Sequence, residues 1–235
     1  MIDQLSMFHE MEKCVVANSY HHKFDFKEIE KNWDSGMIEV IYHSNIMASK
    51  GILLLLAAFQ KLLKNGHLKI NLTITGDFIS DYLMNSDDIK ARFINKLTEI
   101  QEEYPENIHY IGPVDLNQKV EMLNKSHVFV LPTFHKGEAI PLTILEAMRS
   151  GLYIITTDHN YLPEIINKTN GELIKPNDLD SLYTSLEHLP SSTSLAEIGE
   201  NNKVIASQIY SEKLFIDNVA DVLNLNGNTC LQRDQ

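Results

Sequence analysis

The amino-acid sequence predicts an α/β fold: a parallel sheet with helices on both faces. Three observations lead there. Short, nearly continuous apolar runs recur from residue 37 onward, each about the length of a strand. Longer segments with helical spacing lie between them. Gly, Asn, Asp and Pro separate the two kinds of segment. Strands that are apolar throughout, rather than alternating, are buried on both faces, as the strands of parallel sheets are.

The elements follow in order. MIEVIYHSN (37–45) is the first strand. SKGILLLLAAFQKLLKNG (49–66) is a helix with Ser49 as its N-cap and Gly66 as its stop. LKINLTITGD (68–77) is a strand that ends in a Gly76-Asp77 turn, and DDIKARFINKLTEIQEEY is an amphipathic helix ended by Pro105. NIHYIGPV is a strand, LNQKVEMLNKS a short helix and HVFVLPT a buried strand. Then come the helix after Pro141, the strand LYIITTD, a short helix YLPEII and the strand GELIKP. The remainder, to about Asn226, reads as helices, with a frayed tail over 226–235. Sheets of this kind bind ligands at the carboxyl ends of their strands. The informative loops are therefore HSNIMASKG, TGDFISD, GPVD, PTFHKGEAIP and TDHNYLPE.

Composition narrows the function classes. A length of 235 residues suits one large domain, or one with an appendage. The formal net charge is −12 and there is no basic run, so nucleic acid is not expected as a partner. Cys14 and Cys230 form neither a metal-ligand spacing nor a disulfide framework and read as reduced thiols. The N-terminus resembles neither a signal nor a transit peptide, and GILLLLAAFQKLL falls far short of the roughly 20 residues that span a bilayer. A cytoplasmic protein is expected, with the inner face of the membrane as a second setting.

The segment KGEAIPLTILEAMRSG (136–151) carries the clearest chemistry. Proline at the first helical position wastes no hydrogen bond, so Pro141 marks a helix start. The N–H groups from Ala139 through Ile140 and Leu142 to Thr143 then face the cleft, where the helix terminus suits phosphate. A carboxylate accepts hydrogen bonds and repels anions, so Glu138 and Glu146 suit hydroxyl groups on either side. Donors in the middle and carboxylates at each end would fit a nucleotide sugar. The plain alternative is that Glu138 caps the helix and Glu146 is solvated. Lys50, read as lying in the first turn of a helix, opposes the macrodipole, a cost that makes sense if it meets an anion. Its alternative is an exposed lysine.

These stretches, in order, resemble the C-terminal, nucleotide-sugar-binding half of the large retaining glycosyltransferase family with the GT-B fold, often called family 4. SNIMASKGILLLLAAFQKLL resembles its Lys-Gly helix entry, LTITGD its Gly-Asp strand end, and HVFVLPTFHKGEAIPLTILEAMRSGLYIITTD its pair of glutamates with flanking strands. LPEII…NGELIKPND and YSEKLFIDNVADVLN are similar to its close and terminal helix. The resemblance implies a Rossmann-like domain over 37–225. It implies that Glu146 binds ribose hydroxyls, and that Glu138, the catalytic candidate, faces the donor sugar beside the Ala139 and Ile140 backbone. Lys50 would bind the diphosphate, Asn45 stands where the family has arginine, and the base would lie near Val114. His135 is a candidate lining residue, and His159, Asn160 and Tyr161 replace a glycine-rich turn.

The donor would be a UDP- or GDP-sugar and the acceptor a glycan or a lipid-linked glycan. No cofactor or metal is implied. Residues 1–36 resemble a remnant of the acceptor domain and the inter-domain linker, so the acceptor domain is expected to be largely absent. A separate acceptor-domain protein or a homo-oligomer would then complete the enzyme, and exposed apolar surface is expected on the linker and the last helix. His21 and His22 fall in the linker and read as solvated, and a metal site built from them with His43 is not expected. Two other readings stay open: a catalytically inactive nucleotide-sugar-binding or regulatory module, and a nucleotide-sugar epimerase.

Overall fold

The computed structural model describes residues 16–25, 31–33 and 36–223. Cys14, Cys230, residues 1–15 of the expected acceptor-domain remnant and the tail at 226–235 lie outside these residues. Six strands form one parallel sheet: β1 (Ile38–His43), β2 (Ile70–Thr75), β3 (Ile108–Gly112), β4 (Val128–Leu131), β5 (Tyr153–Thr157) and β6 (Gly171–Ile174). Their order is β3-β2-β1-β4-β5-β6. β4 and β5 are buried at every residue, while β3 at the sheet edge alternates and exposes Ile111.

Among the described residues seven helices accompany the sheet: α1 (Ile52–Lys64), α2 (Ser86–Glu103), α3 (Leu116–Lys125), α4 (Leu142–Arg149), α5 (Leu179–Glu187), α6 (Ser192–Ile209) and α7 (Glu212–Val222). α1 packs with α2 and α5 on one face, and α4 with α6 on the other. The long apolar run of α1 buries Ile52, Leu55, Leu56, Phe59, Leu62 and Leu63, a helical stripe wide enough to fill the space above the central strands. Phe78, Phe93 and Tyr110 meet edge to face, with ring centroids 5.0 to 5.6 Å apart. This cluster anchors the loop after β2. No helix among the described residues is long and apolar enough to cross a membrane.

Three local expectations are corrected. Ser49 does not cap α1. A short 3-10 turn, Ala48–Lys50, comes first, and Gly51 at φ 76° is the N-cap. Lys50 consequently lies outside the first turn of α1. Pro141 is the N-cap of α4 rather than its first residue. The expected helix YLPEII is a 3-10 turn, Leu162–Glu164, too short to bury an apolar stripe.

α7 has no fully buried residue, and Ile216 on it is 56% exposed. Its apolar side is therefore only partly covered within the described chain.

Candidate active site

The strand order reverses between β1 and β4, and the loops leaving those two strands diverge there. The β1 loop carries Asn45 and the Ala48–Lys50 turn. The β4 loop runs from Pro132 to Pro141. The two loops touch backbone to backbone. The Phe134 N–H donates to the Ser49 carbonyl at 2.8 Å. A Cβ on Gly51 would lie 2.1 Å from the Pro132 carbonyl oxygen, so only glycine allows this approach. Gly76, at φ 141°, is pressed in the same way against the Ser44 carbonyl oxygen, 1.9 Å from where a Cβ would be.

The contact brings Lys50 to Glu138. Lys50 Nζ lies 2.5 Å from Glu138 Oε2, and the Thr133 hydroxyl donates to the same oxygen at 3.0 Å. Glu138 is 9% exposed, so this is a largely buried ion pair. Glu138 does not cap α4, which has no side-chain cap. Ser49 is fully buried, and its hydroxyl lies 2.9 Å from His135 Nδ1. Asp81 takes the Ser49 N–H at 2.7 Å and those of Leu83 and Met84 at 2.8 and 2.9 Å. The β2 loop thereby holds the Lys50 turn in place.

Glu146 forms a second pair one helical stretch away. α4 buries Ile144, Leu145, Ala147 and Met148, and Glu146 goes inward with them, 4% exposed. Lys119 from α3 reaches its Oε1 at 2.6 Å. Oε2 is buried and has no hydrogen-bond partner among the described residues. Burial pushes the Glu146 carboxyl above the usual glutamate range, and the Lys119 ammonium pulls it back down. Beside this pair His43 is kept neutral. Burial first and the Lys119 charge second lower its pKa to about 4, and its Nδ1 lies 2.5 Å from the Thr75 hydroxyl.

Asn45 is exposed, and its carbonyl accepts from the Tyr42 hydroxyl at 3.1 Å. Val114 is half-buried in the β3–α3 loop at the same edge. Neither side chain joins either ion pair. Leu142 opens α4, and Ala139 and Ile140 lead into it, half-buried. Asn160, in the left-handed region at φ 50°, donates to the Glu138 carbonyl at 2.9 Å, and His159 Nε2 lies 3.0 Å from the His135 carbonyl. His159 and Asn160 therefore brace the Glu138 loop.

Lys119, Thr133 and Asp81 are the site residues that sequence reasoning missed. Lys119 lies near the start of α3, where a cation opposes the helix macrodipole, and that same signal could have found it. The segment before β1 also reaches the site. The Phe24 ring centroid lies 5.7 Å from Lys119 Nζ, and Asp25 accepts from Arg149 Nε and from the Tyr20 hydroxyl, each at 2.8 Å.

Two buried carboxylates held by lysines at the switch point of a parallel sheet suit a polar, hydroxylated, anionic ligand. The sequence pattern of the family described as Glycosyl transferases group 1 matches residues 23–204. The chain belongs to that family. This group 1 chain is 28% identical over 171 residues to the O-antigen chain mannosyltransferase B of Escherichia coli, a match covering 73% of the chain and 42% of that relative. It thus spans less than half of the relative's length. Two solved structures share its fold. The C-terminal domain of a group 1 family protein (LpcC) from Francisella tularensis superposes with a TM-score of 0.66 at 20% identity, over 80% of this chain and 98% of that one. HepE from Anabaena, in complex with UDP and glucose, superposes with a TM-score of 0.70 at 16% identity, over 90% of this chain and 57% of that one.

Proposed function

We propose that the chain is the donor-binding half of a retaining, family 4 glycosyltransferase that moves a hexosyl group from a UDP- or GDP-sugar to a glycan or lipid-linked acceptor. Glu146 carries the reading. Its Oε1 is fixed by Lys119, and its Oε2 is a buried acceptor without a partner among the described residues. A ribose hydroxyl is a donor of the kind that oxygen lacks. The oxygen is closed off from solvent, so binding includes a local opening at the rim.

In the donor complex Lys50 turns from Glu138 to the diphosphate, assisted by the N–H groups of Ala139, Ile140, Leu142 and Thr143. Glu138 then accepts from the sugar hydroxyls. Transfer breaks the bond between the anomeric carbon and the phosphate oxygen and forms one to the acceptor oxygen on the same face. The acceptor proton passes to the departing phosphate. HepE, with UDP and glucose bound, supports a nucleotide-sugar donor, and the mannosyltransferase relative supports polysaccharide assembly as the setting. The acceptor is held by a second domain or a partner, since near-attack geometry needs a wall opposite the donor.

Calorimetric titration of the chain with UDP and with GDP tests this. One nucleotide binds, and Glu146→Ala weakens it by about 1–3 kcal/mol, the usual cost of losing hydrogen bonds to a charged group. Unchanged affinity in the variant would remove the ribose assignment.

A further inference from the structure

We propose that His21, His22 and Glu212 form a binding site for a divalent transition metal of the zinc class, joining the linker turn to α7. The site is separate from the two carboxylate–lysine pairs and does not rest on the donor reading. It differs from the triad the sequence suggested and set aside, since His43 is turned into the sheet edge against Thr75. Its place is taken by Glu212, 190 positions from His22.

The geometry is partly assembled. The His22 N–H donates to Glu212 Oε2 at 2.8 Å, and His22 Nδ1 lies 2.6 Å from the same oxygen. The His21 and His22 rings are tilted by 32°, with centroids 4.3 Å apart. One ligand atom from each of the three residues falls within 4.8 Å of the other two. A tetrahedral ion with bonds of about 2.0–2.2 Å needs ligand atoms roughly 3.4 Å apart. The His22–Glu212 contact therefore opens and His21 closes in, by shifts on the order of 1 Å. Side chains at the surface make such shifts freely. The backbones need not move. The Tyr20 N–H donates to the Tyr210 carbonyl at 3.0 Å, which fixes the linker beside the α6–α7 junction.

The donor set selects the ion. Two imidazoles and one carboxylate suit Zn²⁺, Ni²⁺ or Cu²⁺, whereas Mg²⁺ and Ca²⁺ call for oxygen ligands. His21 Nδ1 accepts the Lys23 N–H at 3.1 Å, so an ion takes that lone pair by displacing this hydrogen bond. The ion takes the place of the direct His22–Glu212 contact. Three protein ligands leave one position for water. Phe24 and Asp25 of the same turn touch Lys119 and Arg149, so an ion here would stiffen the linker where it meets the carboxyl edge of the sheet.

Calorimetric titration of the full chain with ZnCl₂, with MgCl₂ in parallel, decides the matter. One Zn²⁺ per chain is expected, with no comparable Mg²⁺ binding. Glu212→Gln and His21→Asn should each weaken Zn²⁺ at least about tenfold. His21→Asn keeps the His22–Glu212 contact, so its effect cannot be ascribed to a lost fold. Zn²⁺ should also raise the thermal midpoint of the wild type and not that of Glu212→Gln. Unsaturable Zn²⁺ binding, equal Mg²⁺ binding, or isotherms unmoved by both variants would overturn the site.

Discussion

Half-buried lysines stand at both edges of the sheet, and they are held in opposite ways. At the amino edge Lys31 donates to the carbonyls of Leu123, Asn124 and Ser126, at 3.4, 3.0 and 2.5 Å. These groups close the C-terminus of α3, and they cannot leave without unwinding it. At the carboxyl edge Lys50 and Lys119 each end on one carboxylate. A carboxylate side chain can turn to another donor, and a lysine can turn to another anion. Under the proposed donor binding, the carboxyl edge exchanges partners and the amino edge does not. Burial of a charge is therefore not by itself a mark of function; the kind of partner distinguishes the two cases.

The sharpest way to break this comparison is Lys31→Ala. It should cost about 2–4 kcal/mol of stability, since three carbonyls lose their shared donor. Urea unfolding reads the loss, and the affinity for UDP should not change. A fall in UDP affinity as large as that in Glu146→Ala would erase the distinction between the edges.

Lys119→Met probes the exchanging side with a smaller effect. Burial raises the Glu146 pKa and Lys119 opposes that rise. Binding through the carboxylate is present above this pKa and is lost as pH falls through it. Without Lys119 the pKa moves further up, so binding fails at a higher pH than in the wild type. A tenfold change in the proton affinity of Glu146 corresponds to about 1.4 kcal/mol. UDP titrations from neutral to mildly acid pH would show it, and an unmoved profile would mean that Lys119 does not set the ionisation of Glu146. The smallest effect is expected for Asn45→Arg, which adds a cation at an exposed position and should tighten UDP by up to about 1 kcal/mol. Looser binding would place Asn45 away from the phosphates.

The sheet was legible in the sequence because its strands are apolar throughout and its turns carry glycine and proline. All six strands and the order of the helices follow from that pattern. The switch-point edge was legible too, and with it Glu138, Glu146 and Lys50 as candidates. The start of α1 was not. Serine is a good cap, but the Ser49 hydroxyl is used by His135, a partner 86 positions away. The partner of Lys119 was missed for the same reason, since its carboxylate comes from another helix 27 positions on. The metal triad depends on a contact across 190 positions. Local patterns predict elements, whereas the partners of buried charges are set by which elements the fold brings together.

The two glycines at the site have a consequence for reading mutational screens. Gly51 and Gly76 carry no functional group, yet a single methyl at either would collide with a carbonyl oxygen of a neighbouring loop. In a saturation screen scored by activity they would rank with the carboxylates, as intolerant positions adjoining the cleft. A companion screen scored by abundance would separate the two classes, because the glycines would fail in both, whereas Glu138→Gln, which still accepts from Lys50 and Thr133, would fail in the first alone.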